Sequence, residues 1–438
     1  MDHISGLTPH ATFGDGSALT TGRRARAVVA GSLGNLVEWY DFYAYAFTAL
    51  YFSASFFPAG NRTAQLLGTS GIFAVGFLFR PLGGWFFGRY ADRHGRRAAM
   101  QLAIVIMGAG SALIACVPTY ATLGAVAPAL LLVGRMIQGF STGGEYGTAA
   151  TYLSEIATPG RRGFWASFQY VTLIGGQLLA LVVILLLQQL LTDAEMRAWG
   201  WRIPFAIGAL AAMAVLRIRR LMPETAREGV AEAGSFAGLR PHARVFALVV
   251  VLSAGGSCFF YVFTTYMQKY LVNTAGLPAA TANWVMIAVL VPFALLQPLF
   301  GALSDRWGRK TNIVASFALA TIAVVPLMTA LGRVSSAGAA FALVLAALTI
   351  NSIYTSVSGI FKAELFPVHV RALGVGLAYG IGNALFGGTA EYVALWFKQA
   401  GNESGFFWYA TAVCAAALVA ALLMPDVSRR DPLADAAG

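Results

Sequence analysis

Charge is what this chain has least of. Only 11% of its 438 residues are Asp, Glu, Lys or Arg, where an ordinary soluble domain carries about 25%. That shortage excludes a water-facing surface of normal size. Acids are the scarcer sign, 19 against 30 bases, for a formal net charge of +11. Cysteine is nearly absent. Cys116, Cys258 and Cys414 stand far apart in apolar stretches, which excludes a disulfide framework and a cysteine-based zinc site and leaves small buried hydrophobes. The five histidines sit in polar segments (His3, His10, His242) or connecting loops (His94, His369), without metal-ligand spacing. No nucleophile elbow and no phosphate-binding glycine loop stands in the chain. Neither an enzyme nor an ATP-driven pump is expected, and no cofactor or metal.

What the chain has in abundance is apolar length. Hydrophobic residues make up 58% of it, the mean hydropathy is +0.68, and many runs reach the roughly 20 residues that cross a bilayer. A β-barrel would show short alternating segments instead. The expected fold is an all-α membrane protein with twelve spans, near 25–53, 64–88, 98–117, 122–154, 163–190, 203–220, 246–272, 280–303, 311–332, 338–361, 371–397 and 405–424. The first 22 residues are polar and hold no signal-peptide core, so the first span is expected to stay in the membrane. Between these spans, 21 Lys and Arg fall on the side shared with the N-terminus and five on the other. The positive-inside rule then puts both termini in the cytoplasm, and the net charge reports orientation rather than nucleic-acid binding.

The chain repeats itself. "GRYADRHGRR" (88–97) returns as "GALSDRWGRK" (301–310), so that Gly88, Asp92, Arg93, Gly95 and Arg96 map onto Gly301, Asp305, Arg306, Gly308 and Arg309. Glu155 and Arg162 are echoed by Glu364 and Arg371, and "MPETAR" (222–227) by "MPDVSR" (424–429). Three echoes at nearly one spacing predict two pseudo-symmetric six-helix bundles, 23–220 and 245–424. A basic linker (221–244) joins them, with terminal tails at 1–22 and 425–438. Transporters built from such halves bind substrate near the bilayer midplane and alternate its access.

The Gly-x-x-x-Asp-Arg-x-Gly-Arg loop after the second span and its copy after the eighth resemble the signature of the major facilitator superfamily. "GNLVEWYDFYAYAF" (34–47), "GFLFRPLGGW" (76–85), "RMIQGFSTGGEYGTA" (135–149) and "GWRIPF" (200–205) are similar to its metabolite:proton symporter branch, which includes proline/betaine, citrate, shikimate and α-ketoglutarate carriers. "GFWASFQYVTLIGGQLLAL" (163–181), "FTTYMQKYLVNTAG" (263–276) and "RALGVGLAYGIGNALFGGTAEYVAL" (371–395) most resemble the α-ketoglutarate carriers. The resemblance implies proton-coupled uptake of a dicarboxylate across a bacterial-type inner membrane; a functional monomer is expected. The alternatives are citrate, shikimate or a zwitterion such as proline or betaine, and, less favoured, a nutrient sensor. Osmolyte carriers tend to add a long C-terminal coiled coil and sensors long cytoplasmic extensions, and neither pattern is read here.

Ionisable residues within apolar spans are costly and mark function by default. Arg80 lies eight residues before Gly88, roughly 12 Å from the loop at 1.5 Å per residue. It is expected to grip a substrate carboxylate with two parallel hydrogen bonds, the alternative being a structural partner for Glu145. Asp41 lies roughly 21 Å into the first span and Arg135 roughly 18 Å into the fourth from its outer end, so the two reach one depth. An acid and a base so placed resemble the protonation switch of proton-coupled superfamily members. Glu38, one turn before Asp41, is an equal candidate for the proton. Glu145 reads as a packing residue more than as a proton carrier, and the role of Glu391 is left open.

Tyr43, Gln169, Tyr170, Gln177, Tyr379 and Asn383 are expected to supply the polar wall of a midplane cavity, Tyr379 echoing Tyr170 in the other half. A dianion calls for a second cation, and Lys269 and Arg202 near the outer mouth are the candidates, with interfacial snorkelling as the plainer reading. Lys362 reads as cytoplasmic, beside Glu364. The signature aspartates, with Glu155, Arg162, Glu364 and Arg371, are expected to form a cytoplasmic gate by pairing with arginines and a helix N-terminus.

Overall fold

A computed structural model describes residues 21–57, 62–157, 160–220 and 234–426. Among these there is no strand. Twelve helical rods account for the fold: α1 (Thr21–Phe56), α2 (Arg62–Leu78 continued by Arg80–His94), α3 (Arg96–Cys116), α4 (Val126–Ile156), α5 (Arg162–Ala166 continued by Phe168–Leu190), α6 (Ile203–Arg219), α7 (Ala243–Tyr261, a π turn Val262–Tyr266, then Met267–Asn273), α8 (Ala279–Trp307), α9 (Arg309–Leu331), α10 (Ala337–Thr355 continued by Ser358–Leu365), α11 (Arg371–Gly382, a π turn Asn383–Gly387, then Ala390–Gln399) and α12 (Glu403–Leu423). Each predicted span falls on one rod. The face where α1 begins and α2 ends is called the terminal face here, and the other the far face.

Nine of the rods, among the described residues, are long and apolar enough to cross a membrane by length and composition. The three that fall short are α1, α4 and α11. Their apolar character is diluted by Glu38 and Asp41, by Arg135 and Glu145, and by Asn383 and Glu391 with the glycines around them. The charged positions Glu38, Asp41, Arg135 and Glu145 and the amide of Asn383 are buried against protein, which is where side-chain polarity is tolerated at membrane depth. The outer surface is the reverse: Leu190, Ile322, Leu295, Trp284 and Trp408 all stand exposed, as hydrocarbon surroundings allow.

Rods α1–α6 form one bundle and α7–α12 the other, and they meet along two seams related by the repeat. In one, α2 packs lengthwise on α11; in the other, α5 packs on α8, while α4 also reaches α10 and α11. Glycine makes both seams close. A Cβ on Gly88 would stand 2.6 Å from the Cα of Leu373, and one on Gly301 would stand 2.5 Å from the carbonyl oxygen of Gly163. The loop glycines Gly95 and Gly308 adopt φ 100° and 90° with ψ near 150°, a region essentially closed to residues with a Cβ. Each ends a rod at a signature loop and lets the next begin one residue later.

The predicted linker falls partly outside the described residues, as do most of both tails. In its described part, Ser235 caps a short helix, Phe236–Leu239, that leads into α7, and the Gly234 N–H donates to the carbonyl of His369 at 2.8 Å. Of the three cysteines, Cys258 and Cys414 are buried, but Cys116, at the end of α3, is exposed rather than buried as the sequence suggested.

Candidate substrate and proton sites

Arg80 begins the second half of α2, after the interruption at Phe79 and directly before Pro81, and its side chain lies between the bundles. It is 1% exposed. Its Nη1 donates to Asn383 Oδ1 at 2.7 Å and to the Tyr261 hydroxyl at 3.4 Å, both in the opposite bundle. The guanidinium lies over the rings of Phe77 (4.1 Å), Phe42 (4.6 Å) and Trp39 (5.1 Å). Its Nε and Nη2 have no hydrogen-bond partner, and among the described residues no carboxylate pairs with it. A buried guanidinium held by π faces and one amide has donors to spare for an anion. Small residues bring the neighbouring helices close around it: a Cβ on Gly143 or Gly380 would meet the Arg80 backbone, and one on Gly84 would meet Gly376.

Beside this arginine lies a small cavity of about 10 Å³, lined by Trp39, Tyr170, Leu173, Ser257, Phe260, Tyr261, Tyr379 and Asn383, room for about one water. The π turn of α11 starts at Asn383, whose Nδ2 donates to Ser257 Oγ at 3.0 Å and to the Tyr379 hydroxyl at 3.1 Å. Tyr379 in turn stacks face to face on Tyr146 at 3.4 Å. Of the expected polar wall, Tyr170, Tyr379 and Asn383 line this cavity. Tyr43 is buried beside it, at 5.9 Å from the Trp39 ring. Gln169 is buried with its Nε2 donating to the Tyr146 carbonyl at 3.2 Å, and Gln177 is buried outside the cavity lining.

The expected pairing of Asp41 with Arg135 is indirect. Ser111 Oγ donates to the Asp41 carboxylate, Gln138 Nε2 donates to Ser111 Oγ at 3.0 Å, and Arg135 Nη1 donates to Gln138 Oε1 at 2.7 Å. Two neutral groups therefore stand between acid and base. Asp41 packs against Gly208, where a Cβ would strike its carboxylate, and Arg135 lies over the ring of Tyr45 at 4.3 Å. Phe42 is shared: Arg135 stands 5.2 Å from its centroid, on a ring that Arg80 also contacts.

Glu145 is not the partner of Arg80. Its carboxylate is held by Arg219, with one bond of 3.0 Å to Nη1 and a second, closer one to Nη2. Arg219, near the end of α6, is fully buried and also donates to the Met100 carbonyl. Gly34 makes room for it, since a Cβ there would overlap the guanidinium. Glu38 lies nearby, accepting from Ser141 Oγ at 2.8 Å while its other oxygen has no partner.

At the terminal face both signature aspartates reach across the seam. Asp92 accepts from the backbone N–H groups of Ala372 (3.1 Å) and Leu373 (2.9 Å) at the start of α11, and from Arg96. Asp305 accepts from Gly163 (2.8 Å) and Phe164 (3.0 Å) at the start of α5, and pairs with Arg309 at 2.8 Å. Glu155 Oε1 receives Arg96 at 3.3 Å and Arg371 at 3.0 Å, and Arg309 approaches Glu364 at 3.7 Å. Arg93 and Arg306 are exposed and Arg162 half-buried. The aspartate contacts to the two helix starts and the Glu155–Arg371 pair join the two bundles, while Arg96–Glu155 and Arg309–Glu364 lie within one bundle each.

Two candidates for the second cation stand elsewhere. Lys269 pairs with Glu391 on the far half of α11, which gives that acid a partner and occupies the lysine. Arg202 donates to the Val117 carbonyl at 2.8 Å, closing the end of α3, and covers the Trp201 ring at 4.1 Å. Neither lines the cavity. Lys362 is not a loop residue. It is wholly buried, with Nζ at 2.9 Å from the Tyr146 hydroxyl and 2.8 Å from Ser358 Oγ.

Comparison with known proteins agrees with this architecture. A family model described as "Sugar (and other) transporter" matches residues 27–228, and the "Major Facilitator Superfamily" model matches residues 267–437. Alpha-ketoglutarate permease of Escherichia coli K12 is 57% identical over 92% of this chain and 94% of that protein. The citrate-proton symporter of Klebsiella pneumoniae is 34% identical over 91% of each chain. The proline/betaine transporter of Salmonella typhimurium is 31% identical over 96% of this chain and 87% of its own. The structure of the proton:xylose symporter XylE bound to 6-bromo-6-deoxy-D-glucose superposes with a TM-score of 0.76 at 18% identity, covering 93% of this chain and 97% of that one. With twelve helices in two bundles and relatives this similar along nearly its whole length, the chain belongs to the metabolite:proton symporter branch of the major facilitator superfamily.

Proposed function

We propose that this chain is a proton-coupled symporter that imports α-ketoglutarate, or a closely related dicarboxylate, by alternating access. The observation that carries this reading is Arg80, a buried cation between the bundles with no carboxylate of its own and two donor nitrogens unused. The high identity to a relative named for α-ketoglutarate supports the choice of ligand, and the lower identity to citrate and proline/betaine carriers ranks those second. Arg80 holds one carboxylate; Tyr43, Tyr170, Tyr379 and Asn383 contact the rest, with Gln169 and Gln177 behind them.

In this reading Asp41 takes and releases the proton, with Arg135 sensing it through Gln138 and Ser111, and Glu38 beside the Glu145–Arg219 pair as the second acid. The terminal face is the cytoplasmic one, and the cross-seam contacts of Asp92, Asp305, Glu155 and Arg371 close it. The protein is a multi-pass inner-membrane monomer with both termini in the cytoplasm, moving solute without covalent chemistry. One charge crossing 100 mV is worth about 2.3 kcal/mol, so a dianion needs two protons for an electroneutral step and three to be drawn in by an inside-negative potential.

The test is counterflow of labelled α-ketoglutarate in proteoliposomes, wild type beside Arg80→Lys, with succinate, citrate and proline as competitors. Exchange that α-ketoglutarate suppresses best, and that Arg80→Lys abolishes, is the expected result. Exchange of proline or citrate in its place would overturn the ligand, and full exchange in Arg80→Lys would overturn the role of the arginine.

A further inference from the structure

Lys362 sits where a loop lysine should not. It lies on the second half of α10, fully buried at the junction of the two bundles, and among the described residues no carboxylate pairs with it. Burying an ammonium without an acid is expensive, so its surroundings must replace water. Nζ donates to the Tyr146 hydroxyl and to Ser358 Oγ, which uses two of its three protons. The ring centroids of Tyr379 and Tyr146 lie 4.6 Å and 4.9 Å from it, with Phe361 at 5.5 Å. Aromatic faces stabilise the protonated form at that range. The result is a basic side chain surrounded by neutral groups alone, the same kind of surroundings that Arg80 has.

The two cations are joined by one side chain. Tyr379 offers its ring to Lys362 and its hydroxyl to Asn383, which in turn holds Arg80. Tyr379 also lines the cavity beside Arg80, and so does Tyr170. The stacked pair Tyr146–Tyr379 therefore separates a guanidinium from an ammonium across the seam, Tyr146 coming from one bundle and Tyr379 from the other. A rotation of Tyr379 would open the cavity onto Lys362.

We propose that Lys362 is the second carboxylate-binding group of this carrier: Arg80 takes one end of the dianion, Lys362 the other, and Tyr379 is the side chain that moves from between them. This rests on the dicarboxylate reading above and supplies what that reading lacked, a reason for two carboxylates rather than one. It also replaces Lys269 and Arg202, neither of which lines the cavity. Selectivity then follows from distance between charges, since a monocarboxylate leaves the buried ammonium without its anion.

The experiment compares α-ketoglutarate with 2-oxopentanoate, which keeps the five-carbon 2-oxo acid skeleton and has a methyl group where the far carboxylate would be. Both are measured as competitors of exchange in proteoliposomes holding wild type, Lys362→Gln or Lys362→Arg. A hydrogen bond to a charged partner contributes enough for roughly a 10- to 100-fold effect. Lys362→Gln is expected to raise the half-inhibitory concentration of α-ketoglutarate by that factor while moving that of 2-oxopentanoate by less than about threefold. Lys362→Arg should keep most of the preference. A lysine that merely braces the seam would weaken both compounds alike in Lys362→Gln, and that result overturns the proposal. Where Lys362→Gln shows no exchange, binding of both compounds to the purified variant is read by their effect on its thermal unfolding, with the same two outcomes. Failure of wild type to recognise α-ketoglutarate would instead bring down the ligand assignment itself.

Discussion

Asp92 and Asp305 make the same contact from opposite bundles: each carboxylate accepts two backbone N–H groups from the first turn of a helix in the other bundle, α11 for Asp92 and α5 for Asp305. A helix N-terminus carries partial positive charge and unpaired donors, so an aspartate there is bound by both dipole and hydrogen bonds. The signature loop is therefore a pair of reciprocal caps across the seam, with Arg96 and Arg309 fixing each carboxylate from its own side.

Neutralising either cap should slow the carrier without emptying its site. Charge-assisted hydrogen bonds contribute about 1.5–3 kcal/mol each, so Asp92→Asn and Asp305→Asn are each expected to lower turnover at least about tenfold. Equilibrium binding of α-ketoglutarate should shift by less than about threefold. Initial uptake rates set beside binding isotherms check this; a loss of affinity equal to the loss of rate would move the aspartates to the ligand.

Asn383→Asp should turn the amide that now holds Arg80 into a permanent anion for it. The variant is expected to fold with thermal stability at or above wild type and to lose α-ketoglutarate binding by at least about 100-fold, a cost of roughly 2.7 kcal/mol. Thermal unfolding with and without ligand reads both quantities. Retained binding would show that Arg80 is not where the carboxylate goes.

The Glu145–Arg219 pair is a buried ion pair at the end of α6, and losing one partner leaves the other charged and dry. Arg219→Met alone is expected to destabilise by about 3–5 kcal/mol, while Glu145→Leu with Arg219→Met should recover most of that loss. A double-mutant cycle in denaturant or heat measures the coupling. Additive losses would mean that the two side chains do not depend on each other.

Proton coupling should separate from solute exchange at Asp41. Asp41→Asn keeps shape and can still accept from Ser111, so counterflow is expected to stay within about threefold of wild type. Uphill accumulation driven by an imposed pH gradient should vanish. The same two assays on Glu38→Gln decide between the acids: the one whose amide keeps exchange and abolishes accumulation carries the proton.

How much of this was readable in one dimension depends on what a residue's neighbours hide. The repeat, the seam glycines and the caps were legible because Gly95 and Gly308 mark turns that only glycine can make and the aspartates sit at fixed offsets from them. Arg80 stood out because it interrupts an apolar run. Arg219 and Lys362 did not, because each lies in a charged cluster, "RIRR" and "KAE", that reads as a membrane boundary. Only the packing of α6 against α1 and α3, and of α10 against α4, shows which member of each cluster turns inward. The depth match of Asp41 and Arg135 was likewise visible, but the rotation of α3 and α4 that inserts Ser111 and Gln138 between them was not.

A π turn carries one residue more than the α turn it replaces. In α7 and α11 that extra residue falls between the longer first part of the rod and the short far-face segment beyond it, Met267–Asn273 in one and Ala390–Gln399 in the other. The arrangement is reciprocal: the π turn of α11 rests on α7, and the far-face segment of α11 rests on the π turn of α7. Helix geometry turns about 100° per residue, so removing one residue from either turn would spin its far-face segment by more than a quarter of a circle and part Lys269 from Glu391. Each helix is thus a screw cut in two, its outer thread indexed independently of the inner one and keyed to its neighbour by the Lys269–Glu391 pair and the hydrogen bond from Lys398 to the Asn273 carbonyl.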